Sequence, residues 1–298
     1  MIESIIRIRA IAVNTLTEAL RQKVMLVVVL CGLVFIAGSL FMADLAFREQ
    51  FKFLKDLGYA GISITGMVVA LIGAAQLIPA EIERRTLYTT LAKPVWRFEF
   101  ILGKYIGLIA LLSIIVIMLS TFFSVILLIQ EMRVITIETP LNWLQWLLGS
   151  SDHLNDGIKS HIEEIQNASR DPRLIQAVLL VWAKLCVIGG LAVLLSTIAS
   201  STSFIVSITL MVYLVGNLLH IVRLEWGEHS VESTFLKITF ITLVGWLVPD
   251  FELYNLIDEI IAGKNVSWSM TLEMLQYSAL YVTVLLALAA AIFEGREF

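Results

Sequence analysis

Cysteine and charge are both scarce in this chain. Its 298 residues include two cysteines, Cys31 and Cys186. Both sit inside apolar segments, so no disulfide framework and no thiolate cluster with metal-ligand spacing can be read from them; they are expected to be packing residues. Charged residues make up 15% of the sequence and the formal net charge is −4, which offers a nucleic acid no basic footprint. A signal peptide is not expected either. The opening "MIESIIRIRAIAVNTLTEALRQKV" is too polar and too regularly patterned, and no small-residue cleavage site follows the first hydrophobic run; this segment is expected to stay in the mature protein. A phosphate-binding loop is also missing: "AGKNVS" at Gly263 has a Gly-Lys pair but lacks the upstream glycine and the following Ser or Thr.

What the chain does have is apolar bulk. Hydrophobic residues are 58% of it and the mean hydropathy is +0.88, more than a water-soluble domain of this size hides in one core. An all-α integral membrane protein is expected. A hydrocarbon core of about 30 Å takes about 20 helical residues, and an uninterrupted helix satisfies every backbone amide inside it. Four uncharged runs of that order, 24–43, 57–80, 105–130 and 274–293, are each closed by charged residues. The apolar region around Lys184 is too long for one crossing, so "SSTS" at Ser200 to Ser203 is read as a turn between spans 174–198 and 204–222. That makes six transmembrane helices. Residues 238–249 are too short to cross and end in Pro249, and are read as a re-entrant or interfacial segment.

Lysine and arginine set the orientation. Residues 1–23, 81–104 and 294–298 are short and densely basic, whereas most acids, from Glu131 to Glu259, fall on the other side. Both termini are therefore expected in the cytoplasm of a multi-pass protein of the bacterial inner membrane; Arg48, Lys52 and Lys55, read as part of the first outside loop, run against this. Within residues 1–23, Ile2, Ile5, Ile6, Val13, Leu16 and Leu20 share one helical face and Arg7, Asn14, Glu18 and Arg21 another. This imperfectly amphipathic helix is expected to lie in the membrane plane ahead of the first span, as an anchor or as a relay of motion.

The charged interruption "IPAEIERRTLYTTLAKPVWRFEF" is the largest cytoplasmic loop in this scheme. Glu81 pairs by helical spacing with Arg84 and Arg85, and Arg84 shares a face with Tyr88. Pro79 is tolerated at a helix start and Pro94 ends the helix, which leaves a rod of about 13 residues, roughly 20 Å long. It is either a solvated hairpin beside anionic headgroups or a lever presenting Glu83, Arg84, Arg85, Leu87 and Tyr88 to a soluble partner.

"EIERRTLYTTLAKPVWRFEFILGKYIG" resembles the cytoplasmic loop of permease subunits of the type-2 ATP-binding cassette exporters. The matching features are Glu81, the basic pair Arg84 and Arg85, Thr86 with Leu87, Pro94 to Arg97, and Gly103 to Gly107. The resemblance extends to "LLSTIASSTS", Gly216 and the carboxyl end, leaving out the longer loop after Glu131. It implies a six-span half-permease that pairs with a second copy, as homodimer or heterodimer, above two separate ATPase subunits. It also implies that the loop after the second span is a coupling helix seated in the ATPase, with Glu81, Glu83, Arg84, Arg85, Thr86, Leu87 and Tyr88 as its docking residues. The chain itself would carry no cofactor; ATP and magnesium would belong to the partner.

Lys184, near mid-depth in its span, either lines a substrate path or dimer seam, or snorkels its stem to the outer interface. In loop 131–173, Leu141, Trp143, Trp146 and Leu147 suit the membrane interface, and the polar stretch after them suits an outside cap that contacts an accessory protein. His153, His161 and Glu164 there close no recognised metal spacing, and "GSSDH", Gly149 to His153, has no scaffold to make it a triad. An ion-coupled secondary transporter using Lys184, and a non-transporting membrane scaffold, stand as the other classes of function.

Overall fold

The computed structural model describes residues 2–43, 50–79, 96–138, 169–199, 201–228, 248–261 and 263–295. Among the described residues the regular structure is helical. In chain order the helices are α1 (Ile2–Arg21), α2 (Lys23–Ala43), α3 (Gln50–Gln76), α4 (Arg97–Glu138), α5 (Leu174–Ile198), α6 (Thr202–Glu228), a 3-10 turn (Glu252–Asn255) running into α7 (Leu256–Ile261), and α8 (Trp268–Glu294). Five of these, α2, α3, α4, α5 and α8, are long and apolar enough to cross a membrane, and α6 holds a shorter apolar stretch, Thr202–Leu218.

The helices overrun the uncharged runs of the sequence. The third begins at Gln50, so Lys52, Lys55 and Asp56 are helical rather than part of a loop, and Lys55 is buried with Asp171 as its electrostatic neighbour. A hydropathy run marks the slab that needs apolar side chains, and the helix continues wherever its polar residues find water or a partner. Likewise α4 begins at Arg97, so residues 97–104 of the expected cytoplasmic loop are its first turns. At about 1.5 Å per residue its 42 residues reach roughly 63 Å, well beyond the hydrocarbon slab.

The core forms around α5 and α3. Of their apolar windows 67% and 61% is buried, against 22% for α2 and for α8, so the first two are inner helices and the others peripheral. Small residues on α3 let its neighbours approach: Gly58 lies against the Phe123 ring of α4 and Gly66 against Leu185 of α5. Close backbone approach is how helices gain contact in a solvent as apolar as their own side chains. The polar tips inside this core are matched. Tyr59 Oη donates to the Leu174 carbonyl at 2.9 Å, Tyr105 Oη to the Cys186 carbonyl at 2.9 Å, and Trp182 Nε1 to Ser113 Oγ at 2.9 Å.

At one end of the bundle, Glu131 of α4 accepts from Ser169 Oγ at 2.8 Å and from Arg170 Nη2 at 2.9 Å, which ties the lead-in of α5 to α4. The other end holds α1, the close of α3, the start of α4 and the close of α8. The outer faces carry exposed aliphatic and aromatic side chains, such as Leu26, Leu30 and Phe41 on α2 and Leu280, Val284 and Leu288 on α8. This is the surface of a membrane protein facing lipid or another apolar partner.

Candidate functional site

Glu81, Glu83, Arg84, Arg85, Thr86, Leu87 and Tyr88 lie outside the described residues. What the structure does describe is the point where the chain returns from that segment, at Trp96. Within its first turn α4 is fastened on two sides. Glu99 accepts from Arg7 of α1 through Nε at 3.0 Å and Nη2 at 3.2 Å, a side-on fork with one bond to each carboxylate oxygen. The Trp96 amide also donates to Glu99, at 3.4 Å. Arg97 Nη1 donates to the carbonyls of Phe293 and Glu294, both at 2.8 Å, supplying donors to the open carbonyl end of α8, where a cation is favoured. Phe100 stacks on Phe293 with centroids 5.9 Å apart. The return of the loop is thus bonded to the first and the last helix of the chain.

Two turns on, α1 crosses α4 at backbone contact. Gly103 faces Ile11 and the Ile8 carbonyl, and Gly107 faces Thr15 and the Ala12 carbonyl. Ala12, Thr15 and Ala19 are buried there, while Ile5, Ile6, Val13 and Leu20 remain more than half exposed. Four residues of the apolar face seen in the sequence therefore point away from the protein, while Leu16 of that face packs against the core and the small residues Ala12, Thr15 and Ala19 line the seam with α4. The Arg7–Glu99 pair was not readable from the sequence: the residues are 92 positions apart, and only the acid near the start of a helix hinted at a partner.

The pair is open to a double-mutant cycle. Arg7→Ala alone strands the Glu99 carboxylate, whereas Arg7→Ala with Glu99→Gln removes both charges, so the double variant should lose less stability than the two singles added together. Thermal unfolding can be followed by a thiol dye in a Cys31→Ser background, because Cys186 is 6% exposed and reacts only on opening. Simple additivity would mean the two groups do not act as a pair.

Lys184 lies on the inner helix α5 and is 9% exposed, its Nζ 5.1 Å from the centroid of the Tyr213 ring on α6. Among the described residues no carboxylate pairs with it. A lysine at membrane mid-depth costs about 2.5–3.5 kcal/mol, and a ring face returns about 0.5–2 kcal/mol, so Tyr213 offsets only part of the cost. The side chain lines a cleft of about 430 Å³ that α3, α5 and α7 enclose, with Lys52, Asp56, Tyr59, Tyr254 and Asp258 also on its wall. Tyr213, Phe251 and Tyr254 form an aromatic run behind it, centroids 5.2 and 6.4 Å apart. Tyr254 Oη and Ser278 Oγ share a hydrogen bond, and Ser278 Oγ also lies 2.7 Å from the Met274 carbonyl oxygen. Burial pushes the Tyr254 phenol up to about 12.

Among the described residues no group of three His, Cys, Asp or Glu side chains is placed to hold a metal ion; His153, His161 and Glu164 lie outside them. The family model described as ABC-2 family transporter protein matches residues 9–298. No curated protein matches the chain.

Proposed function

Because this chain belongs to the ABC-2 family of transporter proteins, we propose that it is the permease subunit of an ATP-binding cassette transporter, driven through the segment around Glu81 to Tyr88 by a separate ATPase. The family match over 9–298 carries this reading. In it, six helices cross the bacterial inner membrane, the sixth crossing being the apolar part of α6, and both termini are cytoplasmic. Two copies of the chain form the pathway above two ATPase subunits, and closure of the ATPases drives export or extraction of a substrate. The reading also keeps residues 238–249 as a re-entrant or interfacial piece before the last span, although 238–247 lie outside the described residues.

The fastening of α4 supports a coupling role. A push on the segment before Trp96 reaches α4 directly, α1 through Glu99 and Arg7, and α8 through Arg97. A rigid helix bonded at its first turn to two others moves them as a set, which is what transmission between a soluble engine and a membrane bundle requires. A solvated hairpin with no partner would have no use for such bracing.

Arg84→Ala, Arg85→Ala and Leu87→Ala together are expected to abolish co-purification with a co-expressed ATP-binding cassette ATPase that binds the parent chain, and with it any substrate-stimulated ATP hydrolysis. The inserted, folded permease should remain. An intact complex with undiminished stimulated hydrolysis would remove the docking role.

A further inference from the structure

The cleft at Lys184 is built around two charges of opposite sign that the rest of the described protein leaves unmatched. Lys52 and Asp56 on its wall already have partners. Lys184, nine-tenths buried, meets only the Tyr213 ring, and Asp258, exposed on α7, pairs with no cation among the described residues. Both border the same space of about 430 Å³, within the size range of small-ligand sites. The same wall also carries the apolar side chains of Val181, Ile257 and Ile261, beside the polar Tyr59 and Ser63.

A buried ammonium without a counter-ion is retained where something else supplies one. A polyanion fits poorly, because the carboxylate at the rim would repel its outer charge. A neutral molecule would leave both charges unmatched. The geometry points to a zwitterion: we propose that this cleft binds a headgroup-sized ligand whose phosphate or carboxylate meets Lys184 at the base and whose amine meets Asp258 at the rim, with a short apolar linker against Val181, Ile257 and Ile261. A zwitterionic phospholipid and a small soluble zwitterion share this chemistry. The site concerns occupancy and needs no ATPase, so it goes beyond the coupling role, and either can fail without the other.

The test is equilibrium binding to the purified full chain in maltoside detergent, with three probes. These are dihexanoyl-phosphatidylethanolamine, dihexanoyl-phosphatidylglycerol and free phosphoethanolamine. The phosphatidylethanolamine probe should bind the wild type more tightly than the phosphatidylglycerol probe. Lys184→Gln should weaken it by about tenfold or more, as expected for losing a charged hydrogen-bond partner in a buried place. Lys184→Arg should retain most of the affinity. Asp258→Asn, at an exposed position that spares the fold, should weaken the phosphatidylethanolamine probe and leave the phosphatidylglycerol probe unchanged. Tighter binding of the lipid probe than of phosphoethanolamine identifies a lipid as the occupant; equal binding identifies a soluble zwitterion. No binding by any probe, equal preference for phosphatidylglycerol, or indifference to both Lys184→Gln and Asp258→Asn would overturn the proposal.

Discussion

Gly107→Leu is expected to strip α1 from the bundle while the other helices stay assembled. A Cβ at Gly107 would stand 2.7 Å from Thr15 Cβ and 2.8 Å from the Ala12 carbonyl oxygen. The second contact is with backbone, so no rotamer change relieves it, and even Gly107→Ala must push the helices apart. Overpacking of this kind costs on the order of 3 kcal/mol, concentrated on one interface. Helix α1 has few other holds: its buried residues Ala12, Thr15 and Ala19 all lie on this seam, and beyond it stands the Arg7 fork to Glu99. The exposed Ile5, Ile6, Val13 and Leu20 would let the freed helix stay on the membrane surface. The check is thiol labelling of an Ala12→Cys variant lacking the two native cysteines: protected in the parent, it should become reactive when Gly107→Leu is added. Gly38 on α2 is the control, since a Cβ there meets nothing within 4 Å; Gly38→Ala should stabilise by up to about 1 kcal/mol through helix propensity. Continued protection of position 12 in Gly107→Leu would refute the close crossing.

That glycine shows how the sequence divides into legible and illegible parts. Hydropathy identifies where membrane helices lie, because the slab demands apolar side chains. It does not identify their ends, because Lys52, Lys55 and Asp56 can be helical once water or Asp171 is near. Nor does it say which face of a helix meets protein. On α1 the stripe of Ile and Leu is evident from spacing, yet lipid satisfies Ile5, Ile6, Val13 and Leu20 as well as protein would, and the backbone contact goes to the small face, with Leu16 alone of the described stripe packed on the core. The "GKYIG" motif was visible as a resemblance, and its physical content, two glycines under the backbone of α1, needed coordinates. Lys184 stood out as a lone charge in an apolar run. Only tertiary structure sets the Tyr213 ring of α6 against its ammonium and puts Asp258 of α7 on the same cleft. The bonds of Arg7 to Glu99 and of Arg97 to the end of α8 span most of the chain, a separation at which spacing carries no information.

Gly216→Val should open the wall behind Lys184. A Cβ there would lie 2.5 Å from the Pro249 carbonyl oxygen and 2.6 Å from Phe251 Cδ2. Phe251 is fully buried and packs on Tyr213, the ring beneath the Lys184 ammonium. Driving Phe251 away therefore loosens Tyr213 on one side and Tyr254 on the other, for a stability loss of about 1–3 kcal/mol. The Tyr254 phenol gives a local readout. Burial holds it up at about 12, against an ordinary value of 10.0, with the bond to Ser278 pulling the other way. The folded chain thus keeps this proton where an unfolded chain releases it, so the contribution is fully present below pH 10 and is lost as pH rises toward 12. In Gly216→Val the phenol should ionise at lower pH and the stability of the variant should depend less on pH in that window. The contribution of Tyr254 to the phenolate absorbance is isolated by repeating both titrations with Tyr254→Phe. Coincident Tyr254 titrations and unchanged unfolding temperatures in the parent and Gly216→Val would show that the segment from Val248 to Tyr254 is not held by this contact, and that Lys184 keeps its ring without it.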